Sequence, residues 1–233
     1  MRGARRTLHG ASRTSAQARV MMLWFAAMQD RFANANDPRA VRSREALHRA
    51  MRKLLESRQP EQITIRDIAA ESEVGYTTYF RHYPTKEALF EAVVAELIAS
   101  LFERTLPMVD AQDISSAAKA LFAYVRENPR LWITLLTGGA ASTLREQLLR
   151  GARAVAGTRS QPDAWMPPDV GVVLIVGGLI ELLAWWLQQK NPLPIDRVTD
   201  IFVRVVVAPA IAARDAPPAA AELPKRKPVR RKA

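Results

Sequence analysis

The sequence contains no cysteine and only three histidines among its 233 residues. Disulfides, cysteine-bound zinc, iron–sulfur clusters and thiol nucleophiles are therefore excluded, and nothing indicates an oxidising compartment. The histidines, His9, His48 and His82, are scattered, so they indicate neither a histidine-rich metal site nor a Ser/His/Asp triad. A phosphate-binding Gly-Lys-Ser/Thr loop is also missing, and carboxylate pairs fall on predicted helix surfaces. We therefore expect a protein that is not an enzyme and needs no metal and no cofactor.

The sequence is short of negative charge. Its 34 Lys and Arg residues outnumber 23 Asp and Glu residues, which gives a net charge of +11. Residues 1–38 carry +4, residues 39–90 carry +3, residues 91–213 carry −1 and residues 214–233 carry +5. Such an excess favours a polyanionic partner, either nucleic acid or an anionic membrane surface. Because the long central part is nearly neutral, we expect it to have a different partner from the basic regions.

The two ends of the chain differ from the rest in composition. Residues 214–233 combine a proline pair, an alanine run and a cluster of Lys and Arg, which leaves too little apolar surface to pack. We predict a basic disordered tail there, either simply solvated or adding nonspecific affinity for phosphates. Residues 1–38 are predicted to form a basic disordered extension. They imitate a secretory signal, but their basic region is long and their apolar run is short, so we expect a cytoplasmic protein.

From Arg39 onward the apolar residues recur at helical spacing. The apolar stripe of a first amphipathic helix, ending near Pro60, consists of Leu47, Ala50, Met51, Leu54 and Leu55. Thr64 offers a side-chain oxygen to the free amides of a second helix, Ile65–Ser72. Asp67, three residues after Thr64, completes a capping box. The sequence therefore predicts two helices separated by a short turn.

A third and a fourth helix follow closely. The third, Tyr76–His82, comes after a break at residues 73–75, and Thr85 caps the long fourth helix. Two short helices about three residues apart, the first with a small residue at its fifth position and the second exposing polar and aromatic groups, predict a helix-turn-helix. The third helix is then expected to lie in the major groove of DNA and to read base edges. We place this domain at residues 39–84.

The stretch from Thr64 to Leu89, TIRDIAAESEVGYTTYFRHYPTKEAL, resembles the amino-terminal DNA-binding domain of TetR-type transcriptional repressors. In that family a Thr-initiated helix, a Val-Ser turn, a Gly-Thr-Leu-Tyr-x-His-Phe recognition helix and a Ser-Lys-Glu-x-Leu helix start follow at this spacing. This sequence departs from the pattern at Glu73, where the family has a turn glycine. If residue 73 needs a positive φ, the departure costs about 1 kcal/mol. Tyr79-Phe80 stands where the family has Leu-Tyr. The phenol therefore moves from position 80 to position 79, and the phosphate contact that the family's tyrosine makes is not expected at position 80.

The resemblance implies DNA contacts for residues on and beside the third helix. Side chains that open this helix reach bases in the family's docking mode. His82 binds phosphate by resemblance, and Lys86 is the expected phosphate clamp beside the first amides of the fourth helix. Solvated surface or helix capping remains the alternative role for each candidate, and Tyr79 and Tyr83 are expected in the core. The predicted DNA-binding set is Thr64, Tyr76, Thr77, Thr78, Arg81, His82, Lys86 and Arg44.

The remaining residues, 85–213, are predicted to be helical and apolar, so the fold class is all-α with about nine helices. A small three-helix domain is joined by the long fourth helix to a larger helical bundle for ligand binding and dimerisation. Its most hydrophobic segment, Val170–Leu187, meets the length of a membrane span and contains one charge, Glu181. That charge would cost about 2.5–3.5 kcal/mol near the bilayer centre. We prefer a helix buried in a soluble bundle and expect no stable membrane insertion.

By resemblance, the protein is expected to be a ligand-responsive repressor that binds a palindromic operator in double-stranded DNA as a homodimer. Its two recognition helices would enter successive major grooves, about 34–36 Å apart. A small, largely apolar and unidentified effector would bias the dimer away from DNA. The alternative is a membrane-associated or lipid-binding helical protein without sequence-specific DNA binding.

Two further sets of residues in the bundle are predicted, with ordinary core as the alternative for both. The expected ligand pocket is lined by Phe122, Tyr124, Trp132, Thr134, Leu135, Ile175, Leu179 and Glu181. The expected dimer interface contains Val173, Ile180, Leu183, Trp186, Phe202 and Val206.

Overall fold

The computed structural model describes residues 37–157 and 166–215. The basic segments predicted at residues 1–38 and 214–233 lie almost entirely outside the described residues, so those predictions stay open. Within the described ranges the chain forms nine α-helices and no strand, which confirms the all-α fold class. The helices are α1 Pro38–Leu55, α2 Ile65–Ser72, α3 Tyr76–His82, α4 Lys86–Asp110, α5 Ile114–Glu127, α6 Pro129–Leu136, α7 Ala140–Gly157, α8 Pro168–Leu187, and α9, which comprises Ile195–Ile201, Phe202–Val207 and Ala208–Asp215.

The helix starts follow from capping side chains. Thr64 Oγ1 accepts a hydrogen bond from the backbone N–H of Asp67, and the Asp67 carboxylate accepts one from the N–H of Thr64 at 2.9 Å. This reciprocal pair is the predicted capping box at the start of α2. Thr85 caps α4, and Asn128 caps α6 with Pro129 as its first helical residue. Local chemistry therefore sets where these three helices begin.

Two helices contain an irregularity. Pro107 and residues 110–113 together predict a break between the fourth and fifth helices, and α4 continues through Pro107 and ends at Asp110, within that stretch. The missing N–H of a proline removes one hydrogen bond and does not by itself end a helix whose apolar side is held by packing. The last helix changes to π-type hydrogen bonding over Phe202–Val207 and returns to α-type at Ala208. Nothing in the sequence indicated that change.

One continuous apolar core joins the small domain to the bundle. Helix α1 packs on the first half of α4, whose Leu89, Val93 and Ile98 are fully buried, and α2 and α3 pack on α1. In the bundle, the Phe122 ring meets the rings of Trp186 and Phe202 edge to face, with centroids 5.5 and 5.8 Å apart. Because α4 belongs to both parts, it connects the helix-turn-helix to the bundle mechanically.

Helix α8 has an unusual surface for a bundle helix. Residues Asp169–Leu187 have a mean hydropathy of 2.2, and only a third of this segment is buried. Among the described residues, this is the one helix that is long and apolar enough to cross a membrane. Here it packs against α7 and α9, and its Gly178 lies so close to α9 that an added Cβ would stand 2.7 Å from Val206 Cγ1. One side of α8 therefore packs against the other bundle helices, while its opposite side is exposed.

Candidate nucleic-acid interface and ligand cavity

Helix α3 has one buried and one exposed side. Tyr79 and Tyr83, just beyond the helix end, are buried, and the Tyr79 hydroxyl donates a hydrogen bond to the Thr85 carbonyl oxygen. On the opposite side Tyr76 and Phe80 are 50% and 51% exposed, and the side chains between and beyond them, Thr77 and Arg81, are also exposed. Thr78 is half-buried. The exposed side therefore offers aromatic, hydroxyl and guanidinium groups, which can contact base edges and thymine methyl groups.

Phe80 was missed as a candidate. Its position four residues after Tyr76 places both rings on one side of the helix, so the 3.6-residue period could have indicated it. Because Tyr79 occupies the core, the expected phenol at the surface is replaced by a phenyl ring that cannot hydrogen-bond to phosphate. A phenyl ring can instead contact a thymine methyl group.

His82 needs a correction. Its side chain is buried, and Nε2 lies 2.7 Å from Ser43 Oγ. Burial, and then the nearby charges of Arg81 and Arg44, lower the pKa of His82 below its ordinary value. A neutral, buried imidazole does not supply a cation to a phosphate. Instead, His82 fastens the end of α3 to α1.

Arg44 lies beside this junction. Its side chain is half-buried, and its charge helps to lower the pKa of His82. Burial raises the pKa of Tyr83, and the Arg44 charge opposes that rise. Its neighbours on α1, Arg39 and Arg42, are exposed. These three arginines leave a basic surface at the start of α1, next to the end of the recognition helix.

A hydrogen-bonded relay connects α1, α3 and α4. His48 Nδ1 bonds to the Glu96 carboxylate, and His48 Nε2 lies 2.6 Å from the Tyr83 hydroxyl. Arg52 also lies 3.5 Å from Glu96. Burial acts to raise the pKa of Glu96. The His48 hydrogen bond and the charges of His48 and Arg52 lower this pKa by more than burial raises it, so the net shift is downward. An ionised Glu96 on α4 therefore holds both the first helix and the end of the recognition helix.

Thr64 and Lys86 are both already engaged with the protein. The Thr64 hydroxyl donates to the Asp67 carboxylate, whose pKa is lowered by these Thr64 hydrogen bonds. This negative charge lies at the α2 end where a phosphate contact is expected. Lys86 Nζ donates to the Pro60 carbonyl oxygen at 2.8 Å, with its side chain 20% exposed. An ammonium has three donors, so Lys86 can hold this turn and still offer a donor outward.

The bundle contains an apolar cavity of about 420 Å³ between α4, α5, α7, α8 and α9. Several of its wall residues have small side chains, such as Ala118 on α5 and Ala152 on α7. The wall residues are Leu101, Phe102, Thr105, Val109, Ile114, Ala117, Ala118, Leu121, Leu148, Ala152, Val155, Ala156, Met166, Gly171, Val172, Ile175, Val176, Leu179, Phe202, Val207, Ala210, Ile211 and Arg214. Within residues 37–157 and 166–215, no three His, Asp or Glu side chains are grouped to hold a metal ion.

The residues predicted to line the ligand pocket fall in several places, and their role in ligand binding stays a prediction. Of the eight predicted residues, Ile175 and Leu179 line the cavity and the other six lie elsewhere. Phe122, Thr134 and Leu135 are buried in the core, while Glu181 is exposed. Tyr124 and Trp132 pack edge to face and line a separate open cleft beside α1. The physical reason is that large rings fill the space they face, whereas the cavity persists where small residues meet.

The residues predicted for the dimer interface lie mostly inside the protomer, and their role in a dimer stays a prediction. Ile180, Leu183, Trp186 and Phe202 are buried inside the protomer, and the Trp186 indole N–H donates to the Leu193 carbonyl oxygen. Val173 and Val206 are half-buried. The exposed apolar residues of α8 and α9, which we call the α8–α9 face, are instead Val170, Leu174, Trp185 and Val205. Glu181 is the charged group on this side of α8. Its spacing from residues 170, 174 and 185 places all four on one side of a helix, so the sequence could have indicated that this side is exposed.

Comparisons with known proteins give a consistent result. The family model "Bacterial regulatory proteins, tetR family" matches residues 47–93. Over 171 residues the chain is 30% identical to the HTH-type transcriptional repressor Rv3405c of Mycobacterium tuberculosis (strain ATCC 25618 / H37Rv), covering 72% of this chain and 86% of that protein.

Two solved structures share the fold. One is a TetR transcriptional regulator from Streptococcus agalactiae 2603V, with a TM-score of 0.56 and 20% identity over 72% of this chain and 95% of that chain. The other is a tetR-family transcriptional regulator from Streptomyces coelicolor, with a TM-score of 0.53 and 19% identity over 74% of this chain and 81% of that chain. At such identities the likeness concerns the fold alone.

Proposed function

Because this chain belongs to the TetR family, it is a DNA-binding transcriptional regulator and not an enzyme, and we propose that it is a repressor released from its operator by a small effector. The observation that carries this proposal is the division of α3 into a buried side and an exposed side of base-reading chemistry. The repressor binds as a homodimer to a near-palindromic site, because a two-fold protein matches a two-fold sequence.

The exposed side of α3 makes the sequence-specific contacts. Thr77 and Phe80 present methyl, hydroxyl and phenyl groups that suit thymine methyls, and Arg81 suits guanine or a phosphate. Lys86 and the arginines at the start of α1 supply contacts to phosphates that fix the position of the domain. Positions on α3 therefore set selectivity, and the basic groups around it set affinity and its salt dependence.

The α8–α9 face is where the second copy binds. Val170, Leu174, Trp185 and Val205 expose apolar surface on two adjacent helices, and large apolar patches mark interaction sites in water-soluble proteins. A two-fold arrangement places the same face on both partners. This pairing also accounts for a helix as apolar as α8 having only a third of its length buried.

The cavity gives the effector a route to the DNA-binding domain. Part of its wall belongs to the second half of α4 and consists of Leu101, Phe102, Thr105 and Val109. Helix α4 itself begins directly after the recognition helix. The first half of α4 carries Glu96, which is bonded through His48 to Tyr83. A ligand that favours one position of α4 therefore changes the position of α3. Coupling of about 1–3 kcal/mol, or about 5- to 150-fold in affinity, is ordinary for such switches.

The test is binding to DNA upstream of the protein's own coding sequence, measured by gel shift across a salt series. Thr77→Ala and Phe80→Ala should reduce the preference for that DNA over a scrambled duplex, by about 1–3 kcal/mol for a lost base contact. Arg145→Ala, on the exposed surface of α7, is the matched control and should leave binding unchanged. Equal affinity for upstream and scrambled DNA would overturn the repressor proposal. Sedimentation with anionic vesicles in the same buffer detects the membrane-associated alternative.

A further inference from the structure

Phe80 exposes an apolar ring next to cationic side chains. It is 51% exposed, and it stands one helical turn after Tyr76, whose ring is exposed on the same side of α3. Arg81 follows it directly and is exposed as well. A phenyl ring has neither a donor nor an acceptor to offer a phosphate oxygen. On a surface that attracts DNA through its cations, this ring therefore gains binding energy only from an apolar group of the DNA.

Tyr79 restricts the orientation of the Phe80 ring. The two rings pack edge to face, with centroids 5.4 Å apart and ring planes at 80°. Tyr79 itself is fully buried, and its hydroxyl donates to the Thr85 carbonyl oxygen. Because the ring contact limits the rotamers of Phe80, less conformational entropy is lost when Phe80 binds a partner. Tyr79 is thus placed to orient the exposed ring without reaching DNA itself.

The major-groove edges of the four bases offer one apolar group. Guanine presents acceptors, adenine an acceptor and a donor, cytosine a donor, and thymine an acceptor together with the C5-methyl group. A phenyl ring over a polar edge displaces water and returns no hydrogen bond, which costs free energy. Over a C5-methyl group the ring buries apolar surface on both partners. An oriented phenyl ring in this groove is therefore selective for the methyl group.

A ring that reads a methyl group does not identify the base that carries it. Thymine and 5-methylcytosine share the C5-methyl group and differ in the group on C4, which is an acceptor oxygen in thymine and an amino donor in cytosine. Distinguishing those two groups takes a hydrogen bond, which a phenyl ring cannot make. Uracil and unmodified cytosine lack the methyl group and form the other class.

We propose that Phe80, oriented by Tyr79, reads a pyrimidine 5-methyl group in each half of the operator, whether thymine or 5-methylcytosine carries it. This inference rests on the proposed sequence-specific DNA binding and names the chemical group that this part of α3 recognises. Methylation of a cytosine at the contacted position therefore strengthens binding, and removal of a thymine methyl group weakens it. Thr77 and Arg81 supply the hydrogen bonds that distinguish the bases at neighbouring positions.

The test compares duplexes that differ only in pyrimidine methyl groups. DNA from upstream of the coding sequence is prepared with thymine or with uracil throughout, and gel shift measures the affinity of the full-length protein for each duplex. Single thymine-to-uracil changes in a short duplex then locate the contacted position. Wild type should lose about fourfold in affinity for one methyl group and about fifteenfold when both half-sites are changed. With guanine opposite the same position, 5-methylcytosine should exceed cytosine by the same factor.

Four variants assign the effect to the ring. Phe80→Ala should bind methylated and unmethylated duplexes equally, because the apolar surface is gone. Tyr79→Leu keeps an apolar core residue but removes the supporting ring, so it should reduce the methyl effect, whereas Tyr79→Phe should retain it. Lys86→Ala is the matched control, because losing a phosphate contact should weaken binding to both duplexes alike and leave their ratio unchanged. Thermal unfolding verifies that each variant is folded.

Three results would overturn the inference: equal affinity of wild type for thymine and uracil duplexes, a methyl effect that persists undiminished in Phe80→Ala, or a thymine effect without a matching cytosine effect. The second of these would assign the difference to the deformability of the DNA. A preference for upstream over scrambled DNA without any methyl effect would leave the repressor proposal standing. Equal affinity of wild type for upstream and scrambled DNA would overturn both.

Discussion

At the scale of single residues, Glu73 carries backbone strain in the turn between α2 and α3. Its φ of 57° and ψ of 24° lie in the left-handed region, which costs a residue with a Cβ about 1–2 kcal/mol. We expect Glu73→Gly to raise the free energy of unfolding by about 0.5–1 kcal/mol, part of the relief being offset by the greater flexibility of unfolded glycine. Denaturant unfolding at one fixed protein concentration measures this change.

The control for this prediction keeps the Cβ and removes only the charge. Glu73→Gln should remain within about 0.5 kcal/mol of wild type, as exposed substitutions usually do. If Gln and Gly raise stability equally, charge rather than backbone conformation is the cause.

Glu96 makes a pH-dependent contribution to stability. Because its folded pKa lies below the ordinary value, its contribution is present above the unfolded pKa and is lost as the pH falls through the folded pKa. Glu96→Gln should therefore cost about 1–3 kcal/mol at pH 7, the usual range for a hydrogen bond to a charged group. The difference from wild type should shrink below about pH 4.5. Unfolding curves at pH 7, 5 and 3.5 test this, with the exposed Glu103→Gln on the same helix as control; a difference that stays constant with pH contradicts it.

At the scale of elements, α8 and α9 approach closely because Gly178 has no side chain. A Cβ there would stand 2.7 Å from Val206 Cγ1, whereas at Gly177 it would meet no described atom within 4 Å. We expect Gly178→Ala to lower the free energy of unfolding by about 1–3 kcal/mol through overpacking. Gly177→Ala should raise it by up to about 1 kcal/mol through helix propensity.

Thermal unfolding of both variants, with size-exclusion chromatography to verify equal assembly, measures this pair of effects. Adding Val206→Ala to Gly178→Ala should recover part of the lost stability, because the clashing methyl groups are removed. Equal effects of alanine at positions 177 and 178 would argue against close packing as the reason for the glycine.

At the scale of the whole molecule, the proposed pairing of two copies through the α8–α9 face can be tested with one substitution. Trp185→Glu places a charge on this face in both copies of a two-fold dimer, so its cost counts twice. If each copy loses about 2 kcal/mol of apolar burial, the dissociation constant rises about a thousandfold. Analytical ultracentrifugation should then show a monomer where wild type is a dimer. Ser115→Glu, exposed on α5, adds the same charge elsewhere and should leave the dimer intact; a dimeric Trp185→Glu variant would refute this interface.

The sequence by itself determined the fold class, the helix-turn-helix and most helix boundaries. The capping box of Thr64 and Asp67 and the Asn128-Pro129 start of α6 act through neighbouring atoms, so their signals are complete within a few residues. The buried and exposed sides of α3 were also largely predictable, since polar and apolar residues alternate there with a helical period. Phe80 was missed although its spacing from Tyr76 could have indicated it, whereas the burial of His82 was not predictable because its partner Ser43 lies 39 residues away.

Only the tertiary structure decided which side of α8 faces the bundle and where the cavity lies. Helix α8 is apolar around most of its circumference, and the single charge of Glu181 indicates its exposed side without fixing its rotation, which follows from the close contact of Gly178 with α9. The cavity depends on small side chains from five helices meeting in space. Such a void is a property of packing between distant segments, and no local pattern in the sequence records it.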